Sequence, residues 1–249
     1  MLQFVKYKFG KNSMEKQQKI VSMFDNIAST YDLANRVLSF GVDKSWRKKG
    51  CQLAYNHIGK NKLDQIVDVA CGTGDMMSFW DNTAKKMKVE VNSILGIDPS
   101  VGMVKVGEEK FPNFEFKIAS ATELGLENSS VDIISISYGI RNVMEREKAF
   151  SEFYSKLKDG GLVVILEFTK NPDGGIFTKL RDFYMTKLIP LIGGIISRNR
   201  EAYSYLPNSI DGFITSKEMV AELEKTGFTI LENRSFSMGI SSLFIARKG

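Results

Sequence analysis

Short apolar, β-branched runs recur along the chain, each closed by glycine or an acid, with helical stripes between them. The first is Ile66-Val67-Asp68-Val69, which leads into Ala70-Cys71-Gly72-Thr73-Gly74-Asp75. The second is Asn92-Ser93-Ile94-Leu95-Gly96-Ile97-Asp98; Phe114 to Ile118, Val131 to Ser137 and Leu162 to Leu166 follow. Runs this short, bounded by glycine, read as buried parallel strands. Met76 to Met87, Val101 to Phe111 and Glu145 to Leu157 read as the helices between them, the last closed by Gly160-Gly161 as its C-cap. Ser216 to Thr226 is an amphipathic helix with Ser216 as N-cap. Thr229 to Phe236 and Ser241 to Ala246 complete seven strands as an antiparallel hairpin. The pattern predicts an α/β fold: a seven-stranded, mostly parallel sheet with an antiparallel edge strand and helices on both faces.

Two stretches stand outside this alternation. Residues 1–20 are basic and polar, with Lys6, Lys8, Lys11, Lys16 and Lys19, and read as a flexible arm; the alternative is an early helix over the site. Val21, Phe24, Ile27, Ala28 and Tyr31 then form a helical stripe, and Trp46 to Tyr55 a second helix that exits at Gly59. The polar–aromatic stretch from Tyr31 to Gly41, with Asp43, Trp46 and Arg47, makes residues 1–60 a predicted helical lid; the plainer reading is a helix pair on the sheet edge. Residues 170–210, rich in aromatic and long aliphatic side chains, read as an insertion that covers a bulky apolar substrate, or else as a buried helical hairpin. Nothing in the composition divides residues 1–249 into more than one domain.

Composition changes this picture little. Hydrophobic residues at 43% and charged residues at 25% are ordinary for a globular protein. The formal net charge of +5 permits contact with acidic membranes or nucleic acid without demanding either. Cys51 and Cys71 are too few for a disulfide framework or a zinc site, so a reducing cytoplasm is expected. The start lacks an apolar signal region, and no run reaches the ~18 apolar residues of a membrane span.

The chemistry gathers at the first two strand tips. Gly72 and Gly74 let the backbone turn tightly and approach a ligand. Asp98, 24 residues beyond Gly74, ends the next strand, where a nucleoside ribose would offer its hydroxyls. Met77 stands where a dinucleotide fingerprint has its third glycine, and no Gly-x-x-x-x-Gly-Lys-Ser/Thr loop occurs. Asp68, Asp75 and Asp98 make the site acidic, which repels phosphate and suits a cationic ligand with hydroxyls and an amino group. Asp68-x-Ala70-Cys71-Gly72-Thr73-Gly74-Asp75 resembles the first motif of class I S-adenosylmethionine-dependent methyltransferases, which implies a Rossmann-like fold. Beyond the fourth strand, Tyr138-Gly139-Ile140-Arg141-Asn142-Val143 forms a loop at the same sheet edge. Its Arg141 and Asn142 are placed for substrate contact, the alternative being that Arg141 caps or bridges the helix that follows.

Two longer signatures are Tyr31-Asp32-x-x-Asn35-x-x-Leu38-Ser39 leading to Trp46, and Lys156-Leu157-Lys158-Asp159-Gly160-Gly161 leading to Glu167-Phe168-Thr169. With the Ser137–Val143 loop and Tyr203-x-Tyr205-Leu206, they make the chain resemble the ubiquinone/menaquinone biosynthesis C-methyltransferase family from about Phe24 to the C-terminus. The resemblance implies methyl transfer from S-adenosylmethionine to a ring carbon of a polyprenylated quinol. It implies donor contacts at Thr73, Asp98, Ser120, Ala121 and Ser137, beside the turn residues Asp68, Gly72 and Gly74 read above. Arg141 would then stabilise a quinol oxygen and Asn142 orient it or a water, with Tyr203 and Asp32 as candidates for the proton step. The prenyl tail implies peripheral contact with the inner face of a membrane, and a homodimer is compatible. A nucleic-acid substrate is not expected, since neither a concentrated basic groove nor an Asn-Pro-Pro-Tyr-like motif is present, and no ligand cluster points to a metal. Two positions depart from the family pattern: Ala34 replaces Met and Asp43 replaces His. His57, the single histidine, falls on a helix away from the motifs, where exposure is expected.

Overall fold

A computed structural model describes residues 2–170 and 200–249. Among these residues seven strands form one sheet: β1 (Lys62–Val69), β2 (Glu90–Asp98), β3 (Glu115–Ile118), β4 (Val131–Ser137), β5 (Leu157–Glu167), β6 (Phe228–Phe236) and β7 (Ser241–Lys248). They lie in the order β3-β2-β1-β4-β5-β7-β6. The first five pair in parallel, while β7 runs antiparallel to both neighbours and sits one place in from the edge that β6 completes. From β1 the chain winds first toward β2 and later toward β4. That reversal opens a crevice at the carboxyl tips of β1 and β4, the place where open α/β sheets bind ligands.

Alternation along each strand sends neighbouring residues to opposite faces. Val67, Ile134, Val163 and Phe244 enter one apolar cluster, with Phe150, Phe153, Met219 and Leu223 from helices α5 (Arg146–Lys156) and α7 (Ser216–Thr226). Ile66, Ile133, Val164 and Ile245 enter the other, with Trp46, Tyr55, Met76 and Trp80 from α2 (Val42–Ile58) and α3 (Asp75–Met87). At roughly 1.5–3 kcal/mol for each large side chain buried, these two layers dominate the stability of the sheet. The remaining α-helices among the described residues are α1 (Leu2–Ser39), α4 (Val101–Lys110) and α6 (Arg200–Asp211).

Several local expectations are corrected. Residues 2–20 are not a flexible arm but, as in the alternative reading, helical: they form the first half of α1, a single helix of 38 residues that ends at the Phe40-Gly41 corner. Helix α5 has no glycine C-cap. Leu157 is already extended, and Lys158 to Gly161 bulge out of β5 between the pairs Val131–Leu157 and Ile133–Leu162. Gly160 takes φ +75° there, and a Cβ on Gly161 would lie 2.8 Å from the Lys158 carbonyl oxygen, so both glycines serve the bulge. The N-cap of α7 is Thr215, not Ser216, because Glu218 reaches back to the Thr215 N–H and completes a capping box. His57 is partly buried, its Nε2 3.4 Å from Glu232 Oε2. The cover expected over residues 170–210 falls mostly outside the described residues.

Candidate active site

The strand tips on either side of the crevice are under backbone strain. Ala70 and Tyr138, the first residues beyond β1 and β4, both take left-handed conformations, at φ +51° and +59°. Non-glycine residues hold such angles only where their surroundings over-determine them, often at ligand sites. Gly139 cannot carry a side chain, since its Cβ would lie 2.6 Å from that of Ala70. Gly74, at φ +83°, caps α3 with no room for a Cβ between Phe116 and Phe111.

Asp98 joins the tips of β1 and β2. Its Oδ2 accepts from the Gly72 N–H at 2.8 Å, and its Oδ1 from the Ser100 N–H at 2.8 Å. Burial pushes the Asp98 carboxyl up to about 6 even though these two N–H groups favour its charge. Asp68 is buried more deeply. Trp80 Nε1 donates to Ser135 Oγ at 2.8 Å, and that hydroxyl donates onward to Asp68 Oδ1 at 2.6 Å. Loss of water raises this carboxyl to about 7, against the Ser135 hydrogen bond that lowers it. Beside it, Ser137 Oγ is buried with no hydrogen-bond partner among the described residues.

Helix α1 closes over these tips. Asp25 Oδ1 accepts from Ser100 Oγ at 2.6 Å and from the Gly102 N–H at 2.8 Å, which places an acid on the positive end of α4. Asp32 accepts from Thr73 Oγ1 at 2.6 Å and from Lys110 Nζ at 2.6 Å, and Lys110 also bonds Asp75 at the start of α3. Together they latch the lid to the turn. The lining of the cleft beneath includes Tyr31, Asp32, Arg47, Asp68, Thr73 and Ser137, around about 40 Å³ of space. That holds little more than water, so a nucleoside enters only if lid side chains move.

The residues expected at the site are therefore partly gathered. Asp32, Asp68, Gly72, Thr73 and Ser137 line the one cleft, and Asp98 supports it from behind Gly72. Gly74 shapes the turn without lining it. Ser120 and Ala121 follow β3 on the loop next to Asp98, whose carbonyl accepts from the Ala119 N–H at 3.3 Å. Arg141 and Asn142 sit on a 3-10 turn, Ile140–Asn142, outside the cleft lining. The partner of Arg141 is not the helix that follows. Its Nη1 donates to Glu167 Oε1 at 2.7 Å and to the Tyr138 carbonyl at 2.6 Å, and its Nε to Ser209 Oγ at 3.2 Å. Nη2 alone has no partner among the described residues. Asn142 Oδ1 accepts from Tyr205 OH at 3.0 Å, which ties α6 to the same turn. The side chain of Tyr203 lies outside the described residues.

Sequence reasoning did not find Lys110, Asp25 or the Trp80–Ser135 chain. Asp25 left one trace, an acid inside the apolar stripe formed by Val21, Phe24, Ile27 and Ala28. Arg47 was legible as part of the polar lid but without a role.

Comparison with known proteins agrees with this geometry. A family model described as the ubiE/COQ5 methyltransferase family matches residues 12–248. A ubiquinone/menaquinone biosynthesis C-methyltransferase UbiE of Campylobacter jejuni is 55% identical over 235 residues, 94% of this chain and all of that one. A demethylmenaquinone methyltransferase of Bacteroides fragilis is 35% identical over 243 residues, 95% of each chain. The fold is similar to the crystal structure of an S-adenosylmethionine-dependent methyltransferase from Aquifex aeolicus, with TM-score 0.58 over 90% of this chain and 98% of that one. At 14% identity that likeness concerns the fold alone.

Proposed function

The chain belongs to the ubiE/COQ5 methyltransferase family, and from that premise we propose that it methylates a ring carbon of a polyprenylated quinol with S-adenosylmethionine as donor. The observation that carries the substrate class is the 55% identity, over 94% of the chain, to a relative named for quinone biosynthesis. The cleft supports the donor. A buried hydroxyl at Ser137 without a partner among the described residues, glycines with no room for side chains and four aspartates in the lining, with no phosphate-binding loop, fit a cationic nucleoside. When bound, the donor supplies a methyl group already made electrophilic by the sulfonium.

In this reading Asp98 takes the ribose hydroxyls, Thr73 and Ser137 the amino-acid side, and Ser120 and Ala121 the base. The nucleophile is an electron-rich ring carbon, strongest when a neighbouring ring hydroxyl is ionised. Arg141 Nη2 has no partner among the described residues, and in this reading it holds the quinol oxygen as its charge develops. Asn142, fixed by Tyr205, keeps the turn that presents Arg141. Asp32 has both oxygens committed to the latch, so it acts on the proton only when the lid lifts.

A prenyl tail needs access to a bilayer. Among the described residues no helix is long and apolar enough to cross one. At the corner between α1 and α2, Leu33, Val37 and Val42 are exposed, flanked by exposed Arg36, Lys44 and Lys48 that make no ion pair among the described residues. Apolar side chains ringed by bases suit an anionic membrane surface.

The test is labelled S-adenosylmethionine offered with demethylmenaquinol and with 2-methoxy-6-polyprenyl-1,4-benzoquinol under reducing conditions. Label in either quinol is expected, and Arg141→Ala should lower turnover at least ~100-fold with little change in donor affinity. Donor binding without label in either quinol overturns the substrate reading.

A further inference from the structure

We propose that Arg47 is the carboxylate receptor of the cleft: its guanidinium takes the α-carboxylate of the donor's amino-acid end and so selects ligands that keep that group. The inference rests on the S-adenosylmethionine reading above and adds a contact that the glycine motif does not supply.

Arg47 projects from α2 into the cleft lining beside Asp68, Thr73 and Ser137, with its side chain 13% exposed. Its charge therefore sits in the cavity rather than in bulk water. Its pairing is incomplete. Nε alone is engaged, 3.4 Å from Asp43 Oδ2, and neither terminal nitrogen has a hydrogen bond among the described residues. Asp43 is itself held by Ser39 Oγ at 2.7 Å, and the Arg47 Cζ lies over the Tyr138 ring, 5.2 Å from its centroid. The side chain is thus fixed at its neck and on one side while its donor fork stays unused.

A guanidinium withdrawn from water with unused donors is costly unless an acceptor arrives. A planar carboxylate matches the fork with two parallel, charge-assisted bonds. It is also the one anionic group of S-adenosylmethionine. Asp68 stands on the same wall with its Oδ2 free of partners among the described residues, and it makes no ion pair with Arg47. An acceptor oxygen of Asp68 and the unused donors of Arg47, held apart in one cavity, suit the amino and carboxylate groups of an α-amino acid. Asp43 stands where the family pattern has histidine, so here an acid rather than an imidazole orients the receptor.

The experiment is calorimetry on the full chain with S-adenosylmethionine and with decarboxylated S-adenosylmethionine, which differ by the carboxylate alone. The wild type should prefer the carboxylated ligand by roughly 10- to 100-fold, the worth of charge-assisted hydrogen bonds. Arg47→Met should erase that preference by weakening S-adenosylmethionine and leaving the decarboxylated ligand within about threefold. Arg47→Lys, which keeps the charge without the fork, should fall between. Equal wild-type affinity for the two ligands overturns the inference whether or not the methionine variant folds. So does an Arg47→Met variant that loses both ligands by the same factor. If the wild type binds neither ligand, the donor reading falls as well, and that outcome is distinct from equal binding of both.

Discussion

Arg141 Nη1 lies 2.7 Å from Glu167 Oε1, and the two side chains are 7% and 0% exposed. The same carboxylate accepts from the backbone N–H groups of Arg141, at 3.2 Å, and Phe168, at 2.8 Å. One buried acid therefore binds the turn after β4 to the end of β5. Removing one member of such a pair strands the other's charge and costs about 3–5 kcal/mol, whereas replacing both with apolar groups costs far less. Glu167→Ala should lower the unfolding free energy measured in urea by that amount, and Arg141→Met with Glu167→Leu should recover most of it. A double-mutant cycle in which the two changes simply add would show that the pair is not coupled.

The latch over the cleft behaves differently because it is wet. Lys110, Asp32 and Asp75 are 25%, 26% and 30% exposed, and pairs of this kind are worth only about 0–1 kcal/mol. Lys110→Met should leave stability within ~1 kcal/mol of wild type and release the lid. Stopped-flow measurement should then show S-adenosylhomocysteine dissociating several-fold faster. An unchanged dissociation rate would mean that the bonds of Asp25 to Ser100 and Gly102, rather than Lys110, hold α1 down.

The strands and the glycine turn were legible because a buried parallel strand needs a short apolar run, and a turn over a ligand needs residues without a side chain at Gly72 and Gly74. Asp98 was legible from its spacing. What could not be read was pairing across distance. Nothing in the neighbourhood of Lys110 says that its ammonium meets acids 78 and 35 residues earlier. Likewise Arg141 looked available on its loop, since Glu167 reaches it only through the register of β4 against β5. The helix over residues 2–20 stayed hidden because a helical segment is marginal on its own in water, and burial of Ile20, Ile27 and Ala28 fixes α1 from further along.

Asp68 and Asp98 make stability depend on pH in the direction opposite to most carboxylates. Both are raised by burial, to about 7 and about 6 from an ordinary 3.8, so the folded chain binds protons more tightly than the unfolded one. Their contribution is fully present below 3.8 and fades as pH climbs through 6 and 7. At 1.36 kcal/mol per unit this is of the order of a few kcal/mol for each. Asp132 runs the other way: burial works against its charge, but bonds from Lys158, the Asp64 and Gln65 N–H groups and Lys60 hold it below 3.8, so its contribution is present above 3.8 and is lost only in stronger acid. Thermal unfolding of the ligand-free protein should show stability falling from about pH 4 to pH 8, with a shallower fall in Asp68→Asn, which keeps an oxygen for Ser135. Parallel curves for the two proteins would remove Asp68 from the explanation.

The membrane reading is decided at the α1–α2 corner. Leu33 and Val37 are one helical turn apart, 58% and 40% exposed, and Val42 follows across the corner at 43%. Each apolar side chain gains roughly 1 kcal/mol or more on leaving water for the headgroup boundary, and each nearby base about 1 kcal/mol beside anionic lipid. The sum gives reversible binding that salt weakens. The full chain should co-sediment with vesicles containing phosphatidylglycerol at low ionic strength, and much less with purely phosphatidylcholine vesicles. Leu33→Asp with Val37→Asp should cut that binding several-fold without moving the thermal midpoint, because neither side chain is in the core. Loss of binding on exchanging Lys44 and Lys48 for glutamine, with the aspartate pair still bound, would assign the contact to charge alone. No binding to either vesicle would leave the prenyl tail to reach the cleft without a docked enzyme.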